Sequence, residues 1–274
     1  MKNLLLLKRR LWAAACAAPV ALIYQPASAA APYGFAGSLD GSYADLSSGG
    51  SSTGLGMVNG SAAFALGSPD IGAEGDGGYQ WTTMGGINSW NAGGSLFWAG
   101  FPGRAGVTVD YSAYNANPLN GHLTAYGAFG EYFFSDLLTA GLKGGGFNIE
   151  GSGSVLGSTI FGSLNGGYIG GDVTGYVTPD LALSGSVDYF ALTGGNTTQY
   201  GVSGEYLLSA AFPLAVPVSV FGGYISEQFS NGGGNDHIFL IGLRIYTNGN
   251  GDTLRDIHRN GTLGWIGNAA PFPR

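Results

Sequence analysis

The chain has 274 residues, of which 52 are glycine, 15 tyrosine and 15 phenylalanine, while Asp, Glu, Lys and Arg together make up only 10%. Glycine at about 19% against a usual share of roughly 7%, with so little charge, excludes an ordinary soluble enzyme, and 45% apolar residues exclude a disordered chain. The glycines have no period of three, which excludes collagen, and no run of about 18 apolar residues follows the N-terminus, which excludes a helical membrane protein.

The N-terminus reads as an export signal. Lys2, Lys8, Arg9 and Arg10 form a charged region, Leu11 to Ile23 a short apolar run, and Ala27-Ser28-Ala29 a small-residue cleavage site. Residues 1–29 are therefore expected to be a cleaved secretory signal peptide, too short in its apolar part to span a membrane. The single cysteine, Cys16, lies within it. Removal leaves six basic against seventeen acidic residues, a net charge of −11. Without cysteine, disulfides, thiolate metal sites and haem attachment are unavailable. So acidic a chain is a poor partner for nucleic acid.

From residue 30 to 247 no helical period stands out. Apolar residues instead alternate with small or polar ones. Ile71, Ala73, Tyr79 and Trp81 share one face against Glu74, Asp76 and Gln80. Ala105, Val107, Val109 and Tyr111 oppose Arg104, Thr108 and Asp110; Leu181, Leu183, Val187 and Tyr189 oppose Ser184, Ser186 and Asp188. Val216, Val218, Val220 and Tyr224 oppose Ser219 and Glu227, and Phe239, Ile241, Leu243 and Ile245 oppose Asp236 and Arg244. Period two with one apolar face means strands between two environments. The second face is Gly, Ser, Ala and Thr with about one charge per strand, which suits a lumen better than a water-facing surface. In lipid, strands satisfy their backbones only in a closed barrel.

The connections alternate in kind. Gly67–Asp70, Phe101–Gly103, Ser135-Asp136, Thr178–Asp180 and Pro213–Ala215 are tight and built on Pro or Asp; Ser47–Thr53, Met84–Ser89, Asn115–Asn120, Glu150–Gly157, Thr193–Thr197 and Ser230–Asn235 are looser and rich in Gly, Ser and Asn. Five turns alternating with six loops join twelve strands. The expected fold is all-β, a transmembrane up-and-down antiparallel β-barrel of about 12 strands with both termini on the side of the tight turns.

With its signal peptide, its turn Val177-Thr178-Pro179-Asp180-Leu181-Ala182-Leu183 and its terminal segment His237 to Tyr246, the chain resembles the porin-type outer-membrane β-barrel proteins of Gram-negative bacteria. The resemblance covers nearly all of the mature chain. It implies residence in the cell outer membrane, contact with outer-membrane lipid, and insertion by the barrel assembly machinery, which reads a closing aromatic residue. Tyr246 is the candidate for that signal. The chain departs from the pattern by continuing for 28 residues past Tyr246; this tail, taken as 248–274, carries Arg255, Asp256, His258, Arg259 and Trp265 and is expected in the periplasm or folded back into the lumen.

Catalytic chemistry finds little support. Ser52 in Gly50-Ser51-Ser52-Thr53-Gly54 has the spacing of a nucleophile elbow but sits in a Gly/Ser tract without a following helix. His122 is placed on the outward face near an external strand end, with Thr124 two positions on; lacking a placed nucleophile and an orienting third group, it makes no triad. His237 and His258 are the only other imidazoles. No closely spaced oxygen run suggests a metal site, and no cofactor is implied. The lumen candidates are Asp40, Glu74, Asp76, Asp110, Glu131, Asp172, Asp188, Glu205 and Glu227 with Arg104, Lys143 and Arg244. Nine acids against three bases call for a wet lumen. The expected function is a small, mildly cation-preferring passive diffusion channel for small hydrophilic solutes or ions. The alternatives are a closed surface barrel presenting its loops and a lipid-processing enzyme.

Overall fold

A computed structural model describes residues 35–263 except 69, 84–85, 101–102, 117–118, 156–157, 193–194, 209–215, 231–234, 248–251 and 262. The expected signal peptide, residues 1–29, the expected turn at 213–215 and Trp265 lie outside the described residues. Twelve strands follow one another as β1 (Phe35–Ser48), β2 (Ser51–Ala65), β3 (Ile71–Thr82), β4 (Ile87–Gly100), β5 (Gly103–Ala116), β6 (Leu119–Ser135), β7 (Leu138–Val155), β8 (Ser158–Thr178), β9 (Leu181–Leu192), β10 (Gly195–Leu207), β11 (Val218–Phe229) and β12 (Asn235–Tyr246), then a helix, α1 (Leu254–Asn260). Each strand pairs antiparallel with its sequence neighbours, and β1 pairs with β12 to close the barrel.

The hydrogen-bonded register sets the dimensions. A row of partners starting at Ala65 on β2 passes Gly72, Phe97, Gly106, Phe129, Lys143, Gly170, Asp188, Gln199, Glu227, Asp236 and Ser48, and returns to β2 at Ser51. The wall is thus staggered by 14 residues, the difference between positions 65 and 51. With about 3.3 Å per residue and about 4.8 Å between strands, that stagger tilts the strands by about 40° and gives a backbone cylinder about 24 Å across. A tilted 12-residue strand then rises about 30 Å, the thickness of a bilayer's hydrocarbon core.

The faces divide as the alternation requires. Leu39, Val58, Leu96, Val107, Val109, Leu142, Ile169, Val173, Leu183, Val187, Val202, Ile241 and Leu243 point outward and are exposed, Leu142 at 73%. Outward aromatics cluster toward the strand ends: Phe35, Phe64, Trp98, Tyr132 and Phe134 at the turn side, Tyr79, Trp81, Trp90 and Tyr189 at the loop side. Apolar belt and flanking aromatic girdles are the surface that a bilayer and its two interfaces select.

Local chemistry explains the connections. Between β1 and β2 the two-residue turn needs positive φ at both positions, and Gly49 (+56°) and Gly50 (+86°) supply it. At three turn-side connections a hydroxyl accepts the backbone N–H two residues on: Ser68 from Asp70, Ser135 from Leu137 and Thr178 from Asp180. The expected contrast of short turns and longer loops is not found. The longest connection, ten residues from 208 to 217, lies on the turn side, whereas only two residues separate β7 from β8 on the loop side. The Gly/Ser/Asn tracts pair as strand instead: β7 and β8 run to 18 and 21 residues, and residues 158–165 stand above the point where β9 joins. Small residues look like loop by composition yet offer no steric obstacle to an extended ladder that satisfies their backbone.

Candidate functional site

The lumen is where the charges meet. Glu205 is the hub of its turn-side half: it accepts hydrogen bonds from the Ser219 and Tyr246 hydroxyls, its Oε2 lies 3.2 Å from Arg244 Nη1, and His258 Nε2 is 3.4 Å away. Arg244, 1% exposed, also reaches Asp40 Oδ1 at 3.5 Å, and its guanidinium lies 5.0 Å from the Phe221 ring centre. Asn59 donates to Asp40 at 3.0 Å. Arg104 pairs with Glu131 at 2.6 Å beside the Phe97 ring, and Lys143 with Asp188 at 3.0 Å. Three bases thereby engage four acids.

The remaining acids have other surroundings. Glu74 accepts the Leu263 backbone N–H. Asp76 and Asp110 lie on either side of Gly93, where a Cβ would meet both carboxylates. Thr108 donates to Asp110 at 3.2 Å. Asp172 lies over Gly141 in the same manner. Glu227, fully buried, faces Asp236 across the β11–β12 pair. Glycine on one strand makes room for a long side chain on the next, and part of the glycine content is explained by that packing.

Sequence reasoning missed one feature of this interior, and it is apolar: Ala44, Leu46, Leu55, Met57, Phe221, Ile225, Ile238 and Leu240 line one inner wall, and Leu123, Ala125, Phe147, Ile149, Phe190 and Leu192 another. The tail, expected either in the periplasm or in the lumen, adds to it. Leu254 and Ile257 of α1 are buried against Tyr176, Ala182, Leu207 and Tyr246, and Leu263 packs on Phe97 and Ala99. His258 sits between the Tyr176 hydroxyl (3.4 Å from Nδ1) and the Tyr246 hydroxyl (3.3 Å from Nε2). The described part of the C-terminal segment, residues 252–261 and 263, therefore occupies the turn-side mouth.

The tight turns hold that helix. Leu254 N–H donates to Asp180 Oδ1 at 3.3 Å and Arg255 N–H to the Pro179 carbonyl at 2.9 Å. Arg259 donates to the Ser135 carbonyl, stands over the Phe133 and Tyr176 rings, and lies 3.7 Å from Asp136; Arg255 is 3.9 Å from the same carboxylate. Thr253 caps the helix, accepting from Asp256 N–H and donating to Asp256 Oδ2 at 2.6 Å. Partial burial pushes the Asp256 pKa up, but the Thr253 hydroxyl and the Arg255 guanidinium outweigh it and hold the carboxyl below its ordinary range.

Tyr246 is the last residue of β12, with its ring turned inward and its hydroxyl on Glu205. Ser52 lies within β2, opposite Ser47 in an extended hairpin, with no following helix to form an elbow. His237 and His122 face outward. His237 bonds the Tyr224 hydroxyl at 2.7 Å. His122 stacks on Tyr111 and lies 3.4 Å from Glu150, an acidic partner that strand pairing supplies from 28 positions away. Thr124 shares that face.

No family model and no curated protein matches the chain in sequence. Solved structures do resemble it. The NanC porin aligns over 76% of this chain and 98% of its own at 11% identity with a TM-score of 0.50. The KdgM porin in complex with disordered oligogalacturonate (10% identity, 76% and 98% covered, TM-score 0.46) and the translocator domain of the autotransporter NalP from Neisseria meningitidis (15%, 77% and 87%, 0.46) are also similar. The fold, a closed all-β barrel of twelve antiparallel strands, is similar to that of the NanC porin.

Proposed function

We propose that this protein is an outer-membrane channel for passive diffusion of small hydrophilic solutes and ions, with a mild preference for cations, whose turn-side mouth is occupied by its own C-terminal segment. One observation carries the reading: Asp76, Asp110 and Glu227 point into the lumen with no basic side chain within ion-pair distance among the described residues. Carboxylates left without a cation need water or a passing cation to remain charged inside a barrel, and a ring of such groups favours cations in transit. Bilayer lipid covers the apolar belt. The chain is exported with residues 1–29 removed and inserted by the assembly machinery, with Tyr246 marking the closing strand.

Planar-bilayer recordings in a salt gradient test the proposal. Steps with a cation-directed reversal potential are expected, and Asp76→Asn with Asp110→Asn should move that potential toward zero. Absence of steps at every voltage, or anion preference, refutes it.

A second reading attaches to the outer rim. His122, Glu150, Tyr111, Asn115, Asn120 and Ser163 border a groove of about 840 Å³, and Glu150 is placed to orient the imidazole. A lipid-processing site here would use the Thr124 hydroxyl, on the same outward face, to attack a lipid ester while His122 takes its proton and returns it to the departing alcohol, with water then releasing the acyl group; phospholipid turnover abolished by His122→Ala supports it, and no turnover by the folded protein refutes it.

A further inference from the structure

Around the loop-side mouth the closed register assembles oxygen atoms that the sequence scatters. Gln199, Glu227 and Asp236 are consecutive partners on β10, β11 and β12. Side chains directly opposite one another on a shared face have Cβ atoms about 4.5–5.5 Å apart. Thr197, two residues before Gln199, points to the same side. Glu227 is 0% exposed and neither of its carboxylate oxygens has a hydrogen-bond partner; the same holds for Gln199 Oε1, Thr197 Oγ1 and Asp236 Oδ1. Ile225 and Ile238, two residues along the same face from Glu227 and Asp236, and Phe190, the strand partner of Thr197, are all buried.

Two facing carboxylates in such a setting repel and are poorly solvated, so they need a positive partner. Among the described residues the wall does not provide one. Lys143, the basic side chain on this row, is bonded to Asp188, and Arg244 to Glu205 and Asp40. The chemistry of the donors defines what fits. All are oxygens: two carboxylates, an amide carbonyl and a hydroxyl. His237, the nearest imidazole in sequence, is turned outward onto Tyr224. An oxygen-only set carrying two negative charges selects a hard divalent cation over a transition metal. Ca²⁺ accepts irregular coordination by carboxylate, amide and water oxygens at about 2.3–2.6 Å, whereas Mg²⁺ demands a near-ideal octahedron.

We propose that Glu227, Asp236 and Gln199, with Thr197 beside them, form a binding site for a calcium-sized divalent cation just inside the loop-side mouth. Glu227 lies two residues from the end of β11 and Asp236 is the second residue of β12, which places the site at the loop-side end of the barrel. The proposal deepens the cation-preferring reading by naming where a cation rests, but it is tested as binding, independently of conduction.

The experiment is isothermal titration of the folded, full-length mature protein in detergent with CaCl₂. One Ca²⁺ per chain is expected, with affinity at least tenfold weaker in Glu227→Gln and in Asp236→Asn and unchanged in Asp45→Asn, whose side chain lies on the outward face of β1. Heat-modifiable migration in gels verifies that each variant is a closed barrel. No calcium heat in the wild type, equal affinity in Glu227→Gln, or equally tight Mg²⁺ binding overturns the proposal. Calcium binding without conductance would refute only the channel, and conductance without calcium binding only this site.

Discussion

Ile257→Ala is the sharpest test of the C-terminal segment as an occupant of the lumen. Ile257 is 2% exposed and packs with Leu254, Tyr176, Ala182, Leu207 and Tyr246 where α1 meets the turn-side wall. Truncating a buried isoleucine to alanine costs about 2–5 kcal/mol through lost burial and the cavity left behind. Here the strands are held by their own ladders, so the loss falls on docking of the helix and not on closure of the barrel. At 1.4 kcal/mol per factor of ten, the undocked population rises roughly 30-fold at the lower end and a few thousandfold at the upper. The polar anchors from Asp180, Pro179, Asp136 and the Ser135 carbonyl remain in the variant and cancel from this ratio. Planar-bilayer recording of single barrels reads the change as a longer fraction of time in the largest conductance state. Ile241→Ala, at an outward position 61% exposed, is the control and should leave gating unchanged. Equal open fractions for wild type and Ile257→Ala, with a folded barrel in both, refute the reasoning.

Other consequences follow from the same contacts. Glu205→Ala takes from the buried Arg244 the carboxylate at 3.2 Å, leaves the Asp40 carboxylate at 3.5 Å, and removes the acid facing His258; a loss of about 3 kcal/mol in urea unfolding followed by tryptophan fluorescence is expected, and an unchanged midpoint would contradict the hub. Gly242→Val places a side chain against the Phe221 ring, the Gly41 carbonyl and Ser42 at the β1–β12 seam, and should cost about 1–3 kcal/mol in the same assay. The Asp256 carboxyl is held below its ordinary value of 3.8, so its contribution to α1 is present above that pH and lost as pH falls through the lower folded value. In the proposed channel, opening should accordingly rise in acid, and Asp256→Asn should raise opening at neutral pH and flatten that part of the dependence. An acid response identical in wild type and Asp256→Asn would exclude this residue as its source.

The functional surfaces were unequally legible. The outward positions of Val107, Val109, Leu183, Ile241 and Leu243 could be read from alternation, because a strand has only two faces and lipid accepts only one kind of side chain. The inward apolar walls could not, since Leu46, Leu55, Phe147 and Ile238 obey the same period two and nothing local separates an apolar residue facing lipid from one facing a partner across a lumen. The connections were located by Pro, Asp and Gly, yet their lengths were misjudged where glycine and serine tracts ran on as paired strand. His122 looked isolated because Glu150 reaches it only by strand pairing, and the charges of the lumen could be counted but not matched.

Composition and period two by themselves determined that this chain is a closed antiparallel barrel of about twelve strands, since alternation between hydrocarbon and a small polar interior is a local property that every strand repeats. Which carboxylate meets which base, which is left beside another carboxylate, and where the tail lies were decided only by the tertiary structure. The 14-residue stagger brings together residues far apart in sequence: Glu205 with Arg244 and His258, Glu74 with Leu263, Glu227 with Asp236. Charge pairing is a matter of distance in space, and in a barrel that distance depends on how the two ends of the sheet are joined.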